Sequence, residues 1–236
     1  MSTLKISKKP KSPTIIVGFP GFGLIGTIAT EFLIEHLTVE NIGVHYFEEL
    51  PATIAIHNEK VIEPMSVYYN KKYNLIIFHS MLAPKGMEWK LADVILDVAK
   101  QTGAKEIISL EGVSMGMEAE KERVFFYTNK SRAKAKLEKT GCKVLHEGIV
   151  IGVTASLLLK SKKPITVIFA ETHSKLPDSK ASAKIIKILD NYLNLKVDYK
   201  PLLATAKKFE DKLRSILKQG TVANEEQKRK MLSYVG

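Results

Sequence analysis

Short apolar runs alternate with segments of helical periodicity between residues 14 and 195, and this alternation restricts the chain to one class of fold. Strands are predicted at 14–18, 42–47, 52–56, 61–69, 75–78, 106–110, 124–127 and 165–170. Helices are predicted at 23–36, 88–101, 130–139, 152–160 and 178–193, with Gly103 as the stop of the second and Asp178 in the N-cap region of the last. This alternation is typical of a layered α/β domain in which helices cover both faces of a mostly parallel sheet. A hairpin is predicted through residues 57–60, and it makes the predicted sheet mixed.

The predicted domain organisation has four parts. Residues 1–13 are basic and are expected to form a flexible N-terminal segment ahead of an α/β core domain at 14–195. Residues 196–220 are predicted to form a C-terminal helical extension, because apolar residues recur at steps of three and four through that stretch. This helix either packs on its own domain or makes a contact between subunits, and both interpretations remain open. Residues 221–236 are mostly polar and are expected to be a flexible tail.

Composition and charge limit the class of protein. Hydrophobic residues make up 45% of the 236 residues, yet no apolar run approaches the about 20 residues that a membrane span needs. The N-terminus lacks the apolar stretch of a signal peptide, so a cytoplasmic protein without membrane contact is expected. The formal net charge of +11 is compatible with nucleic acid or an acidic protein surface. No recognition motif accompanies that charge, which disfavours nucleic acid as a partner.

A glycine pattern after the first predicted strand offers one enzymatic interpretation. Gly21, Gly23 and Gly26 match G-x-G-x-x-G between a strand and a helix, the context that dinucleotide binding requires. Glu48 lies near the distance along the chain expected for an acid that binds a ribose. A nucleotide- or dinucleotide-binding enzyme is therefore the alternative function. Pro20 within the turn, and the hairpin that follows Glu48, favour instead a structural turn that needs glycine.

A second glycine pattern matches the nucleophile elbow of α/β hydrolases. Gly112, Ser114 and Gly116 fit G-x-S-x-G and follow a predicted strand. Glu171 and His173 are the best available partners for the serine, but residues two apart in sequence rarely form such a relay. No apolar-faced helix follows the motif, although the elbow requires one. A glycine-rich loop at a strand end is the favoured interpretation.

Metal and thiol chemistry are not indicated. The six histidines are scattered and none shows the H-x-x-x-H spacing of a zinc site. Cys142 is the only cysteine, which excludes an intrachain disulfide, and it is predicted to be a small buried residue. The prediction from the residues is therefore no catalytic residue, no metal site and no cofactor.

Five segments, taken in order, resemble the archaeal branch of the proteasome assembly chaperone 2 family. They are residues 18–37, residues 49–51, residues 111–112 with the strand end at 128–129, residues 148–159, and residues 169–172 with 176–178. Each segment is short, and it is their ordered combination across 14–195 that carries the resemblance. It implies a fold similar to that of nucleoside phosphorylases, without a retained catalytic set. Both glycine patterns are then structural turns of that fold.

The resemblance also implies a function and partners. It implies a non-enzymatic proteasome assembly chaperone or activator that docks on the α-ring of the 20S core and forms homo-oligomers. Archaeal relatives can carry a C-terminal hydrophobic-Tyr-any tail that inserts between α subunits. Here Tyr234 is third from the end instead of second, and Ser233 stands where a hydrophobic residue is expected. The candidate partner-binding residues, in this shifted register, are Leu232, Tyr234, Val235 and Gly236 with its carboxylate.

Overall fold

The computed structural model describes residues 4–48, 54–57, 59–82, 85–114, 123–172, 176–202 and 204. Ten strands lie within these residues: β1 Thr14–Gly18, β2 Glu40–His45, β3 Ala55–His57, β4 Lys60–Ile62, β5 Met65–Asn70, β6 Leu75–Ser80, β7 Glu106–Val113, β8 Val124–Thr128, β9 Lys143–Val144 and β10 Ile165–Glu171. The described α-helices are α1 Ile25–His36, α2 Glu88–Thr102, α3 Ser131–Glu138, α4 Val153–Lys160 and α5 Ser179–Leu193. A 3₁₀ turn, Phe22–Leu24, precedes α1.

Eight of these strands form one mixed sheet in the order β2-β5-β6-β1-β7-β10-β8-β9. Strand β1 lies at the centre and pairs in parallel with β6 and β7, and β10 continues the parallel set next to β7. Antiparallel pairs join β2 to β5, β5 to β6, and β8 to β10. Strands β3 and β4 form a separate hairpin. The predicted mixed, mostly parallel sheet is confirmed, but the hairpin predicted to make it mixed lies outside it, and the antiparallel pairs involve β2, β5, β6, β8 and β10 instead.

Helices cover both faces of the sheet, as predicted. Helices α1 and α5 pack on one face, and α2 and α4 pack on the other. Strand β6 is buried along its whole length. Leu75 and Ile77 belong to the core under α1 and α5, while Ile76 and Phe78 belong to the core under α2 and α4. This division follows from the two-residue side-chain period of a strand.

Some element boundaries differ from the prediction for local reasons. The single strand predicted at 61–69 is divided into β4 and β5 around Pro64, which has no N–H for a strand ladder. The ends of two helices agree with the prediction: α5 begins at Ser179 with Asp178 as its N-cap, and Gly103 caps the end of α2 in the left-handed conformation. Strand β9, only two residues long, was not predicted because it carries no periodicity.

Residues 4–13, for which the sequence suggested a flexible segment, lie against the core domain. Leu4 and Ile6 are buried in the core under α2. The Ser7 amide donates a hydrogen bond of 2.8 Å to the Ile42 carbonyl, and the Ser12 amide donates one of 2.8 Å to the Thr102 carbonyl. Burial of two apolar side chains holds this segment against the domain. The net charge of the segment gave no indication of that burial.

The predicted C-terminal parts lie mostly outside the described residues. Leu202, the first residue of the apolar stripe in the predicted 196–220 extension, is buried in the core with α1 and α5. The other members of the stripe and the tail at 221–236 are not among the described residues. The prediction of a helix and a flexible tail there stays a prediction.

Candidate functional site

The carboxyl ends of β1, β7 and β10 lie side by side at one edge of the sheet. The turn after β1 packs against the end of β7. A Cβ atom on Gly112 would lie 2.0 Å from the Phe22 carbonyl oxygen, and one on Gly26 would lie 2.5 Å from the Leu110 carbonyl oxygen. Glycine is therefore needed at both positions because two backbone segments touch there.

Glu111, near the end of β7, is the ionisable group beneath this turn. Its carboxylate accepts a hydrogen bond from the Thr154 hydroxyl at the start of α4, and that hydroxyl also lies 2.7 Å from the Ser109 hydroxyl. A Cβ atom on Gly21 would lie 3.2 Å from Glu111 Oε2. Burial raises the pKa of Glu111 to about 7, although the Thr154 bond acts in the opposite direction. The carboxyl can therefore exchange a proton near neutral pH.

A third loop, after β10, fixes the turn from the other side. Asp178 accepts hydrogen bonds of 2.9 Å from the Ala181 amide and from the Thr172 hydroxyl, and its own amide donates one of 2.9 Å to the Gly23 carbonyl. Gly23 and Leu24 are both left-handed, with φ of 64° and 50°. For Leu24 this conformation costs about 1–2 kcal/mol, which the burial of its side chain helps to offset.

The residues of the dinucleotide pattern are not brought together with their predicted acid. Gly21, Gly23 and Gly26 lie in the turn at the centre of the sheet. Glu48 follows β2, and strands β5 and β6 separate β2 from β1. Three strand spacings of about 4.8 Å put the two strands on the order of 14 Å apart, whereas a ribose-binding acid follows a strand adjacent to the turn. The mixed sheet order, which local sequence does not encode, causes this separation.

The structure describes only part of the hydrolase pattern, and Glu171 lies in register with Val113, next to Ser114. Ser114 is exposed just beyond β7, while Gly116 and His173 lie outside the described residues. Glu171 is fully buried, and its carboxylate accepts hydrogen bonds from the Arg123 side chain at 3.0 and 3.1 Å and from the Arg123 amide at 3.1 Å. The contact is bidentate, so Glu171, the predicted acid of the relay, forms an ion pair with Arg123 instead.

Sequence reasoning did not single out Glu111 or Thr154 as a pair. They are 43 residues apart along the chain and meet because α4 begins over the end of β7. The available signal was an acid at the end of an apolar strand, directly before Gly112. Such a residue faces the loops that gather at the carboxyl edge of a parallel sheet.

Three further features of the described residues concern metal binding, membrane-spanning helices and the Cys142 thiol. Within the described ranges, no group of three or more His, Cys, Asp or Glu side chains is arranged to hold a metal ion. The helices that the structure describes include none that is long and apolar enough to cross a membrane. Cys142 is buried as predicted, and burial raises the pKa of its thiol to about 12, which keeps it protonated near neutral pH.

Comparison with known proteins decides the family. The sequence profile of the PAC2 family matches residues 15–217. The chain belongs to the PAC2 family. The match confirms the resemblance seen in the sequence, and it covers the core domain and most of the extension predicted at 196–220. The turn at Gly21 and the Glu111 carboxyl are thus features of a PAC2 protein.

Several PAC2-like proteins resemble the whole chain. PbaA of Pyrococcus furiosus, described as an archaeal homolog of proteasome-assembly chaperone, is 27% identical and superposes with a TM-score of 0.83 over 94% of this chain and 99% of its own. PbaB of the same organism, described as an archaeal proteasome activator, shares the fold at 24% identity, with a TM-score of 0.75 over 91% of this chain and 98% of its own. An uncharacterized Methanocaldococcus jannaschii protein is 28% identical over 93% of both chains.

Proposed function

We propose that this protein is a non-enzymatic assembly chaperone or activator of an archaeal-type 20S proteasome. The observation that carries the proposal is the likeness to PbaA, which extends over 94% of this chain at a TM-score of 0.83 and accompanies a PAC2 match over residues 15–217. The geometry of the carboxyl edge supports it. In the pattern that suggested a cofactor site, Gly26 lies against the backbone of β7, and Gly21 and Gly23 lie against side chains of β7 and of the segment after β10, so packing explains the pattern.

The proposed docking element is the end of the chain, with the α subunits of the 20S particle as its partner. Leu232 and Tyr234 would provide apolar and aromatic side chains to bury in a pocket between subunits, and the Gly236 carboxylate would pair with a cation. Val235 would occupy the position between them. We also propose that the protein acts as a homo-oligomer, which would present several tails to one ring and raise the avidity of a weak peptide.

The charge near the tail fits the same proposal. Residues 200–230 contain nine Lys and Arg against four Asp and Glu. A basic segment next to the docking peptide would steer the tail toward an acidic surface, and the association rate should then fall as the salt concentration rises. An association rate with the 20S particle that does not change between low and high salt would remove this part of the proposal.

The test is co-sedimentation with a purified archaeal 20S proteasome, together with stimulation of its peptidase activity. The intact chain is compared with a chain that ends at Leu232 and with the Tyr234→Ala variant, and Ser233→Ala serves as the matched control. We expect the intact chain and the control to bind and stimulate, and the other two to lose most of both. Equal results for all four chains would eliminate the tail mechanism, and no binding by the intact chain would eliminate the function.

A further inference from the structure

Three large apolar side chains project from the side of the molecule that carries α4. Ile149 is 90% exposed, Ile151 is 81% exposed and Leu159 is 75% exposed. Val150, between the two isoleucines, is partly buried and lines a groove, so exposure alternates along residues 149–151. Single exposed apolar residues are common on protein surfaces, but a cluster of this kind marks an interaction site.

The groove next to these side chains extends the apolar surface. It encloses about 230 Å³. Its lining is mostly apolar and consists of Tyr127, Leu145, His146, Glu147, Gly148, Val150, Leu158 and Phe169. At the far end of α4, Trp89 is 54% exposed and lies 5.7 Å from the Lys160 ammonium group. The surface thus runs from Tyr127 across α4 to Trp89.

The edge of the sheet beside the groove is short. Strand β9 ends the large sheet and contains only Lys143 and Val144. The Leu145 amide still donates a hydrogen bond of 2.8 Å to the Phe126 carbonyl of β8, and no described strand includes residues 146–151. The outer edge of a terminal strand can accept a strand from another chain.

The low charge of this surface indicates which kind of partner it fits. The chain carries a net charge of +11, so most of its surface repels a second copy. Residues 130–143, which include α3, contain six basic residues and one acid, whereas residues 145–160 contain one of each, Glu147 and Lys160. Lys160 also forms an ion pair with Asp93 on α2. An acidic partner would favour the basic surface around α3, and a near-neutral apolar surface suits a second copy of this chain.

We propose that the surface formed by Ile149, Ile151, Leu159 and the adjoining groove is the contact through which this protein binds a second copy of itself. The proposal rests on the homo-oligomer included in the proposed function, but it does not depend on binding to a proteasome. Burial of Ile149 and Ile151 at the contact provides the free energy of association, and the near-neutral rim avoids the repulsion that other surfaces would impose.

The test is the mass of the full chain in solution at micromolar concentration, measured by light scattering after size exclusion. The wild type is compared with the double variant Ile149→Glu, Ile151→Glu. The matched control is Ile56→Glu, Val61→Glu, which places the same two charges on the β3–β4 hairpin, where these side chains are 62% and 55% exposed. Far-UV circular dichroism of all three proteins verifies that each is folded.

We expect the wild type and the hairpin control to have a mass of at least twice the 26.4 kDa of one chain, and the Ile149/Ile151 variant to be a folded monomer. An Ile149/Ile151 variant that keeps the oligomeric mass would overturn this contact, as would an oligomer that only the hairpin variant dissociates. A monomeric wild type would overturn self-association altogether. Neither result depends on the proteasome binding experiment, so failure of this proposal and of the proposed function can be distinguished.

Discussion

The Thr154 hydroxyl donates a hydrogen bond to Glu111 Oε1, and Gly21 lies so close to Glu111 Oε2 that an added Cβ atom would be 3.2 Å from it. The contact joins the start of α4, the end of β7 and the turn after β1. These three segments are far apart in sequence, so the environment of the Glu111 carboxyl depends on all of them being packed together. Two of the predictions below test this edge directly.

The first prediction concerns the pH dependence of stability. Burial raises the pKa of Glu111 to about 7, whereas an unfolded glutamate titrates near 4.3. Between about pH 4.5 and pH 7 the folded protein keeps a proton that the unfolded chain has lost, so this group lowers the free energy of unfolding as the pH rises. The Glu111→Gln variant lacks this effect. Its melting temperature relative to wild type should therefore be higher at pH 8 than at pH 5.

The control for this experiment is Glu138→Gln, which removes an exposed carboxylate on α3. Its melting temperature relative to wild type should be the same at both pH values. A difference of one pKa unit between the folded and unfolded states changes the free energy of unfolding by about 1.4 kcal/mol. If the difference between Glu111→Gln and wild type were equal at pH 5 and pH 8, the carboxyl would not have the raised pKa on which the prediction rests.

The second prediction concerns the contact between the turn and β7. A Cβ atom added at Gly112 would lie 2.0 Å from the Phe22 carbonyl oxygen, which belongs to backbone and cannot move away without distorting the turn. We expect Gly112→Ala to lower the free energy of unfolding by about 1–3 kcal/mol or more. For a chain of this length, each kcal/mol shifts the melting temperature by about 2–4 °C. Thermal unfolding measures the shift.

Gly148→Ala is the matched control for the second prediction. There the nearest neighbour of an added Cβ atom is a terminal methyl group of Leu145 at 3.3 Å, and the end of a side chain can turn aside. We expect its melting temperature to stay close to that of wild type. Equal melting temperatures for the two variants would show that the turn tolerates displacement from β7.

The extent to which sequence predicted this fold depends on the range of the interactions involved. Helix α5 was predicted together with its Asp178 cap because both signals lie within one turn of the chain. The position of Glu48 was not predictable, since it depends on β5 and β6 inserting between β1 and β2. The exposure of Ile149 and Ile151 was also hidden, because an apolar segment that leads into a helix has the composition of a buried one.

The third prediction concerns the ion pair between Arg123 and Glu171. The Glu171 carboxylate is completely buried, while the Arg123 side chain is 38% exposed. Arg123→Ala would leave the buried carboxylate without this guanidinium, and loss of one member of an ion pair destabilises a protein when the remaining charge is buried. We expect Arg123→Ala to lower the free energy of unfolding, measured by chemical denaturation, by clearly more than the loss of an exposed ion pair does.

The comparison for the third prediction is Lys160→Ala, which removes one member of the more exposed pair with Asp93. Exposed pairs contribute about 0–1 kcal/mol, so this variant should unfold at nearly the same denaturant concentration as wild type. A loss as large in Lys160→Ala as in Arg123→Ala would mean that the burial of Glu171 does not determine the effect.

The fourth prediction concerns the opposite end of β7. The Glu106 carboxylate is buried and accepts hydrogen bonds from the Tyr192 hydroxyl at 2.9 and 3.0 Å, from the Thr166 hydroxyl at 2.6 Å and from the Lys130 ammonium group at 3.2 Å. Tyr192→Phe removes one donor and leaves the ring in place, so we expect a loss of about 1–3 kcal/mol in denaturant unfolding. Tyr127→Phe, on an exposed ring, should change little. If the two variants were equally stable, α5 would not be anchored to β7 through Glu106.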